Sequence, residues 1–351
     1  MVGLTQRAQA LVHSLRDRLV WWPAIGKHCR MTDHDDLAQY LIMRSEALAA
    51  GSSDRELAKL VRSGDLRRIR AGAYAPSRVW DQWDLSQQHR LLARAVLGKA
   101  GTPTVLSHVS AAAELGAPTW GLPLDDVHVT RRDGRAGRKE AGVNQHRGRL
   151  LADDVVVHGG VPVTSATRLA IDITTIASLE SSLCVVNHLL HTNLTDPERL
   201  AHRYKSMEQF PHTLRTGLVL RLADPRIETV GETRTFVACW RHGLPAPEPQ
   251  YEVLDGGQVI ARLDFAWPHL GRWLEFDGKQ KYVKYLRDGE SVTDAVLREK
   301  RREERVAELT GWRCIRITWA DLEHPVRLAR RLLAFLGLDA TVPRVTPDLF
   351  L

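Results

Sequence analysis

Residues 261–282 read "ARLDFAWPHLGRWLEFDGKQKY". The first part alternates as a strand does, a turn follows at 268–271, and "RWLEFD" resumes the strand pattern, so two neighbouring strands are predicted. Within this apolar sequence stand Asp264, Glu275 and Asp277, with Lys279 and Lys281 close behind. Carboxylates are rarely buried without a partner, so a metal ion or an ion pair is expected. Side chains alternate along a strand, which puts Glu275 and Asp277 on one face and Leu274 and Phe276 on the other. With the strands in register Asp264 lies beside the pair, and three oxygen donors suit a hard cation such as Mg²⁺ or Mn²⁺. Lys279 or Lys281 would then orient a nucleophile or offset charge on a phosphate. The structural alternative is an ion network in which Arg262, Arg272 or Arg298 pairs with the acids.

Outward from this stretch the pattern continues. A helix is predicted over 231–242, with Glu232 near its start, and "YEVLD", the turn "GGQ" and "VIARLDFAW" read as a hairpin. After "RWLEFD" come a long charged helix, "SVTDAVLREKRREERVAEL", the strand "WRCIRIT" and a last helix. The order is α, β, β, β, α, β, α. "LDFAWP", "LEFDGKQKY" and "LREKRREERVAELTGWRCIRITWADL" resemble the PD-(D/E)XK nuclease superfamily, in particular its branch similar to the very-short-patch repair endonucleases. The resemblance implies a restriction-endonuclease-like αβββαβ core over 228–340 and a Mg²⁺- or Mn²⁺-dependent endonuclease acting on double-stranded DNA. It assigns the first strand acid to Asp264, the second to Glu275 or Asp277, the helix acid to Glu232, and the lysine to Lys279 or Lys281. Glu275 is followed two positions later by Asp277 and not by lysine. The rival is a scaffold that keeps this shape and binds without cutting.

Residues 32–76 read as helix, short helix, turn, helix and a two-stranded wing. Gly51 ends one helix, Ser53 caps the next, and Leu57, Leu60 and Val61 form its apolar stripe. Gly64 and Asp65 turn the chain into "LRRIRAGAYA", a hairpin bearing Arg67, Arg68 and Arg70. In a winged helix-turn-helix domain over 32–80, the capped helix with Ser53, Arg55, Lys59 and Arg62 enters a major groove and the wing arginines meet phosphate. The alternative is a helical hairpin used for protein contact. This segment is similar to the N-terminal domain of AbiEi-type antitoxins of type IV toxin–antitoxin systems, which implies transcriptional regulation and a cognate toxin as a second partner.

Residues 84–224 read as a mixed α/β middle domain. "LSQQHRLLARAVLGKAG" and "VLSHVSAAAELGAP" look helical, "DVHVTRR" and "DVVVHGGVPVTS" look like strands, and "TRRDGRAGRK" reads as an exposed loop. His108, His128, His146 and His158 have no metal-ligand rhythm and read as ordinary polar residues. The whole is expected to be an α+β multidomain protein, since 351 residues exceed a comfortable single core.

A net charge of +7 points to a polyanionic partner without identifying one. Cys29, Cys184, Cys239 and Cys314 are far apart, so neither a zinc site nor a disulfide framework is suggested, and reduced thiols in the cytoplasm are expected. No apolar run reaches the ~20 residues of a membrane span, and residues 1–31 lack a signal peptide's apolar centre. Met31 offers an alternative start, against a real but loosely packed extension over 1–31. No Walker loop, dinucleotide fingerprint or nucleophile elbow occurs.

Overall fold

The computed structural model describes residues 34–135, 137–207, 213–278 and 291–338. The 1–31 extension, Met31, Lys279 and Lys281 lie outside the described residues. The chain is a mixed α+β protein with three separate sheets among the described residues, and its contacts divide it into two compact units, Met1–Leu169 and Ala170–Leu351.

In the first unit a 3₁₀ segment, His34–Tyr40, leads to β1 (Ile42–Met43), α1 (Arg44–Ala49), α2 (Asp54–Arg62), β2 (Leu66–Arg70) and β3 (Ala73–Pro76). The first helix expected from sequence stops at Tyr40 because Ile42 and Met43 pair with Tyr74 and Ala73, so the strands expected as a pair form a three-stranded sheet in the order β1-β3-β2. α2 starts as its sequence dictates. Ser53 Oγ accepts from the Glu56 amide, and the Glu56 carboxylate accepts from the Ser53 amide at 2.8 Å, a reciprocal cap that satisfies two exposed donors. Leu57 then packs with Ala47 and Leu66, with Leu60 and Val61 against them.

The unit continues through α3 (Ser77–Trp80), α4 (Leu85–Leu97), β4 (Thr104–Leu106), α5 (His108–Glu114), β5 (Val127–Arg131), β6 (Lys139–Glu140), β7 (Val143–His146), β8 (Val155–His158) and β9 (Val161–Thr164). These six strands form one mixed sheet in the order β6-β7-β5-β4-β9-β8. "VLSHVSAAAELGAP" is therefore strand before it is helix. Val105 and Leu106 are fully buried in a central strand between β5 and β9, and only the small residues after Ser107 wind into α5. Burial pushes the His108 imidazole well below its ordinary range and lowers that of His128 to about 4.

The boundary between the units falls within α6 (Ala166–Ile176). The second unit contains α7 (Leu179–His191), α8 (Pro197–Lys205), α9 (Leu214–Leu222), α10 (Val230–Arg241), β10 (Glu248–Asp255), β11 (Gln258–Trp267), β12 (Arg272–Asp277), α11 (Val292–Thr310), β13 (Arg313–Thr318), α12 (Trp319–Leu322) and α13 (Pro325–Leu336). Its sheet runs β10-β11-β12-β13, antiparallel except for the parallel pair β12–β13. A parallel pair needs a crossover, and α11 lies on it. Phe265, Trp267, Leu274, Phe276 and Ile317 pack with Cys239 of α10 and Leu328 and Leu332 of α13. Leu263, Ala266 and Trp273 pack instead with Val306 of α11.

Candidate functional site

The helix acid comes first. Thr229 Oγ1 accepts from the Glu232 amide and donates to Glu232 Oε1 at 2.8 Å, while the Glu228 amide donates to Oε2 at 3.0 Å. Glu232 is therefore locked to the first turn of α10, where the helix dipole favours a negative charge. Gly231 allows α10 to approach the sheet this closely: a Cβ there would sit 2.1 Å from the Phe276 ring.

The strand acids follow from the pairing. Phe265 faces Leu274 across β11–β12, and Pro249 and Tyr251 face Phe265 and Leu263 across β10–β11, so Gln250, Asp264 and Glu275 stand in one row across three strands. In that row the regular alternation of β11 breaks. Leu263 joins the α11 side of the sheet and Phe265 the α10 side, although they are two residues apart. At the break Asp264 Oδ2 accepts the Phe276 amide at 2.8 Å, and Gln250 has a left-handed backbone, φ 52°, from which Nε2 donates to Glu232 Oε2 at 3.0 Å.

Glu232, Asp264 and Glu275 are all buried, and together with Gln250, Arg298 and Arg302 they line one cleft of 610 Å³. β12 keeps its alternation, so Asp277 shares a face with Glu275, but it sits half-buried at the strand end and is not part of the cleft lining. Neither the trio expected to hold a metal, Asp264, Glu275 and Asp277, nor the trio Glu232, Asp264 and Glu275 brings its carboxylate oxygens within 4.8 Å of one another. Two carboxylates on adjoining strands remain, which is a set Mg²⁺ accepts when water fills its other positions.

Glu275 Oε1 pairs with Arg302 Nη2 of α11 at 2.9 Å, and Nη1 of the same guanidinium donates to the Arg262 carbonyl at 3.0 Å. The arginines expected from sequence behave differently. Arg262 pairs with Glu228 at 2.8 Å, Arg272 donates to the Phe335, Leu270 and Gly271 carbonyls, and Arg298 lines the cleft. Gln250 and Arg302 are the site residues that sequence reasoning missed. Arg302 is one of many charges on a helix, and only docking selects it. For Gln250, a polar residue amid "PEPQYEV" was the available signal.

In the first unit Arg55, Lys59 and Arg62 of α2, and Arg67 and Arg68 of β2, are exposed, while Arg70 is half-buried and Ser53 is occupied by its cap. Arg67 also pairs with Asp81 at 2.8 Å. No helix among the described residues is long and apolar enough to cross a membrane.

No family model matches the chain. It is similar to uncharacterized proteins from two strains of Mycobacterium tuberculosis, 32% identical over 119 residues in each case. The match covers 34% of this chain, and the chain spans about two-fifths of the length of those relatives, 41%.

Proposed function

We infer that the protein binds double-stranded DNA through a winged helix-turn-helix in its first unit, and that a restriction-endonuclease-like core in its second unit hydrolyses phosphodiester bonds with Mg²⁺ or Mn²⁺. One observation carries this reading: three buried acids, Glu232 from a helix and Asp264 and Glu275 from adjoining strands, line a single cleft. Buried carboxylates are costly to hold together unless a cation offsets them. The exposed cations of α2 and β2 supply the sequence-independent attraction to phosphate.

Asp264 and Glu275 would hold the ion, which when bound polarises the phosphate and lowers the pKa of an attacking water. The Phe276 amide fixes the Asp264 carboxylate, and Gln250 and Thr229 fix Glu232 at the rim of the same cleft. Arg302 holds Glu275 and adds positive charge where a phosphate would dock. The lysine role assigned to Lys279 or Lys281 lies outside the described residues.

A second reading is favoured by one contact. Arg302 already neutralises Glu275, which is the arrangement of an inert ion network, and the unit would then be a binding scaffold in an AbiEi-type antitoxin or autorepressor with a toxin partner. Incubation with supercoiled plasmid separates the two. Metal-dependent nicking that falls by about 100-fold or more in Asp264→Asn and Glu275→Gln is the nuclease result. DNA binding without nicking at any divalent ion is the scaffold result. Arg302→Ala adds a test independent of activity. It removes one partner of buried Glu275 and should cost about 1–3 kcal/mol, a loss that Mg²⁺ restores only if the cleft binds the ion.

A further inference from the structure

His108, His128 and His146 stand 20 and 18 positions apart, a spacing with no ligand rhythm, yet one ring nitrogen from each lies within 4.8 Å of those of the other two. Parallel pairing of β5 with β7 brings two of them together. His146 faces Thr130, so it sits one diagonal step from His128 on the same face, and His146 Nε2 is 2.9 Å from His128 Nδ1. His108 enters at the start of α5, and its ring stacks on that of His146 with centroids 3.7 Å apart.

The way His108 is held separates this cluster from a chance meeting of core residues. Its backbone is left-handed, φ 50°, a conformation that strains a non-glycine residue and tends to mark functional sites. Its Nδ1 hydrogen-bonds Ser107 Oγ at 3.0 Å, and Ser107 Oγ accepts from Thr130 Oγ1 at 2.8 Å. With Nδ1–H donating to that hydroxyl, Nε2 would carry the lone pair, which is how metal-ligating imidazoles are commonly oriented. The nearby cations Arg168 and Lys139 are paired, with Asp154 at 3.2 Å and with Asp126 at 2.5 Å, so their charges are offset.

We propose that His108, His128 and His146 form a three-imidazole site for a late first-row divalent metal of the zinc class, separate from the acidic cleft of the second unit. Imidazole nitrogens favour Zn²⁺ and Co²⁺ over Mg²⁺, which prefers oxygen. Tetrahedral zinc at about 2.0–2.1 Å from each nitrogen spaces the nitrogens roughly 3.4 Å apart, so loading requires the 2.9 Å His128–His146 contact to open slightly, the separations within 4.8 Å to close, and the stacked His108 and His146 rings to rotate so that their in-plane lone pairs converge. Three protein ligands leave a fourth position for water.

The full chain, stripped with chelator and titrated with Co²⁺, tests the proposal. With excess Mg²⁺ present to occupy the acidic cleft, the expected result is one Co²⁺ per chain with the intense visible absorption of a tetrahedral nitrogen site, and a further Tm rise of roughly 5–10 °C when Zn²⁺ is 100 times its Kd. His146→Gln, at the half-exposed member, should abolish both, whereas Asp264→Asn should retain both. A folded His146→Gln variant that binds Co²⁺ as wild type does would overturn the site, as would a wild type that takes up none. Should that variant not fold, X-ray absorption on the zinc-loaded wild type still decides: imidazole scattering supports the site and an oxygen-only shell rejects it.

Discussion

Gly231 lets the first turn of α10 lie against the Phe276 ring, and Glu232 of that turn lines the same cleft as Asp264 and Glu275. Two opposing effects follow from Gly231→Ala. Helix propensity favours alanine by about 1 kcal/mol, but a methyl group 2.1 Å from a buried ring must displace α10 or the ring, an overpacking cost of about 1–3 kcal/mol. The clash is with a packed aromatic side chain, so it wins, and a fall in Tm of roughly 3–6 °C is expected in a thermal melt. Phe276→Leu in the same background should recover part of the loss, since the two positions touch and are not additive. An alanine variant more stable than wild type would show that α10 does not rest on this contact. Gln250 shows the complementary case, a strained backbone retained where its amide reaches Glu232.

At the scale of elements, the long helix α11 shows how a charged sequence can be structural. Val306 is fully buried against the sheet, and ion pairs carry much of the rest of the docking: Arg302 with Glu275, Glu299 and Glu303 with Arg316 of β13, and Arg305 with Asp255 of β10. The β2–β3 hairpin carries its arginines outward instead. Replacing Arg67, Arg68 and Arg70 with alanine should weaken binding to duplex DNA at every sequence and reduce the salt slope by about one unit per lost phosphate contact. Arg67 shares its charge with Asp81 and Arg70 is half-buried, so the largest single effect is expected at Arg68. Affinity measured against salt concentration checks this, and an unchanged slope would assign the hairpin to protein contact. The cap of α2 and the turn before β2 were legible from Ser53, Gly64 and Asp65, because they are made locally. β1, β4, β6 and β7 were not, because strands of two to four residues carry too little alternation to be told from loop or helix, and they form only against a partner.

For the whole molecule, the second unit's buried thiols report its integrity. Burial pushes Cys184 and Cys239 up to about 12, so at pH 8 only about one part in ten thousand is thiolate and both are shielded from reagent. Alkylation read peptide by peptide in a mass spectrometer should therefore leave both unlabelled in the native protein and label both in urea. Rapid native labelling of either would show that this core opens readily. The sequence by itself determined what depends on near neighbours: the order of elements from α10 to β13, the hairpin at Gly256 and Gly257, the Ser53 cap, and the presence of acids in strand sequence that called for a cation, whereas the single last helix it predicted is two, α12 and α13, parted before Pro325. Tertiary structure alone decided which groups meet. Period-two alternation placed Glu275 and Asp277 on one face, but the break in β11 turns Asp264 to the Phe276 amide, docking of α11 selects Arg302, and parallel β5–β7 register gathers histidines that look unrelated along the chain. The physical reason is that spacing along a chain sets direction only within one element, whereas distance between elements is set by register and packing, which no single stretch of residues encodes.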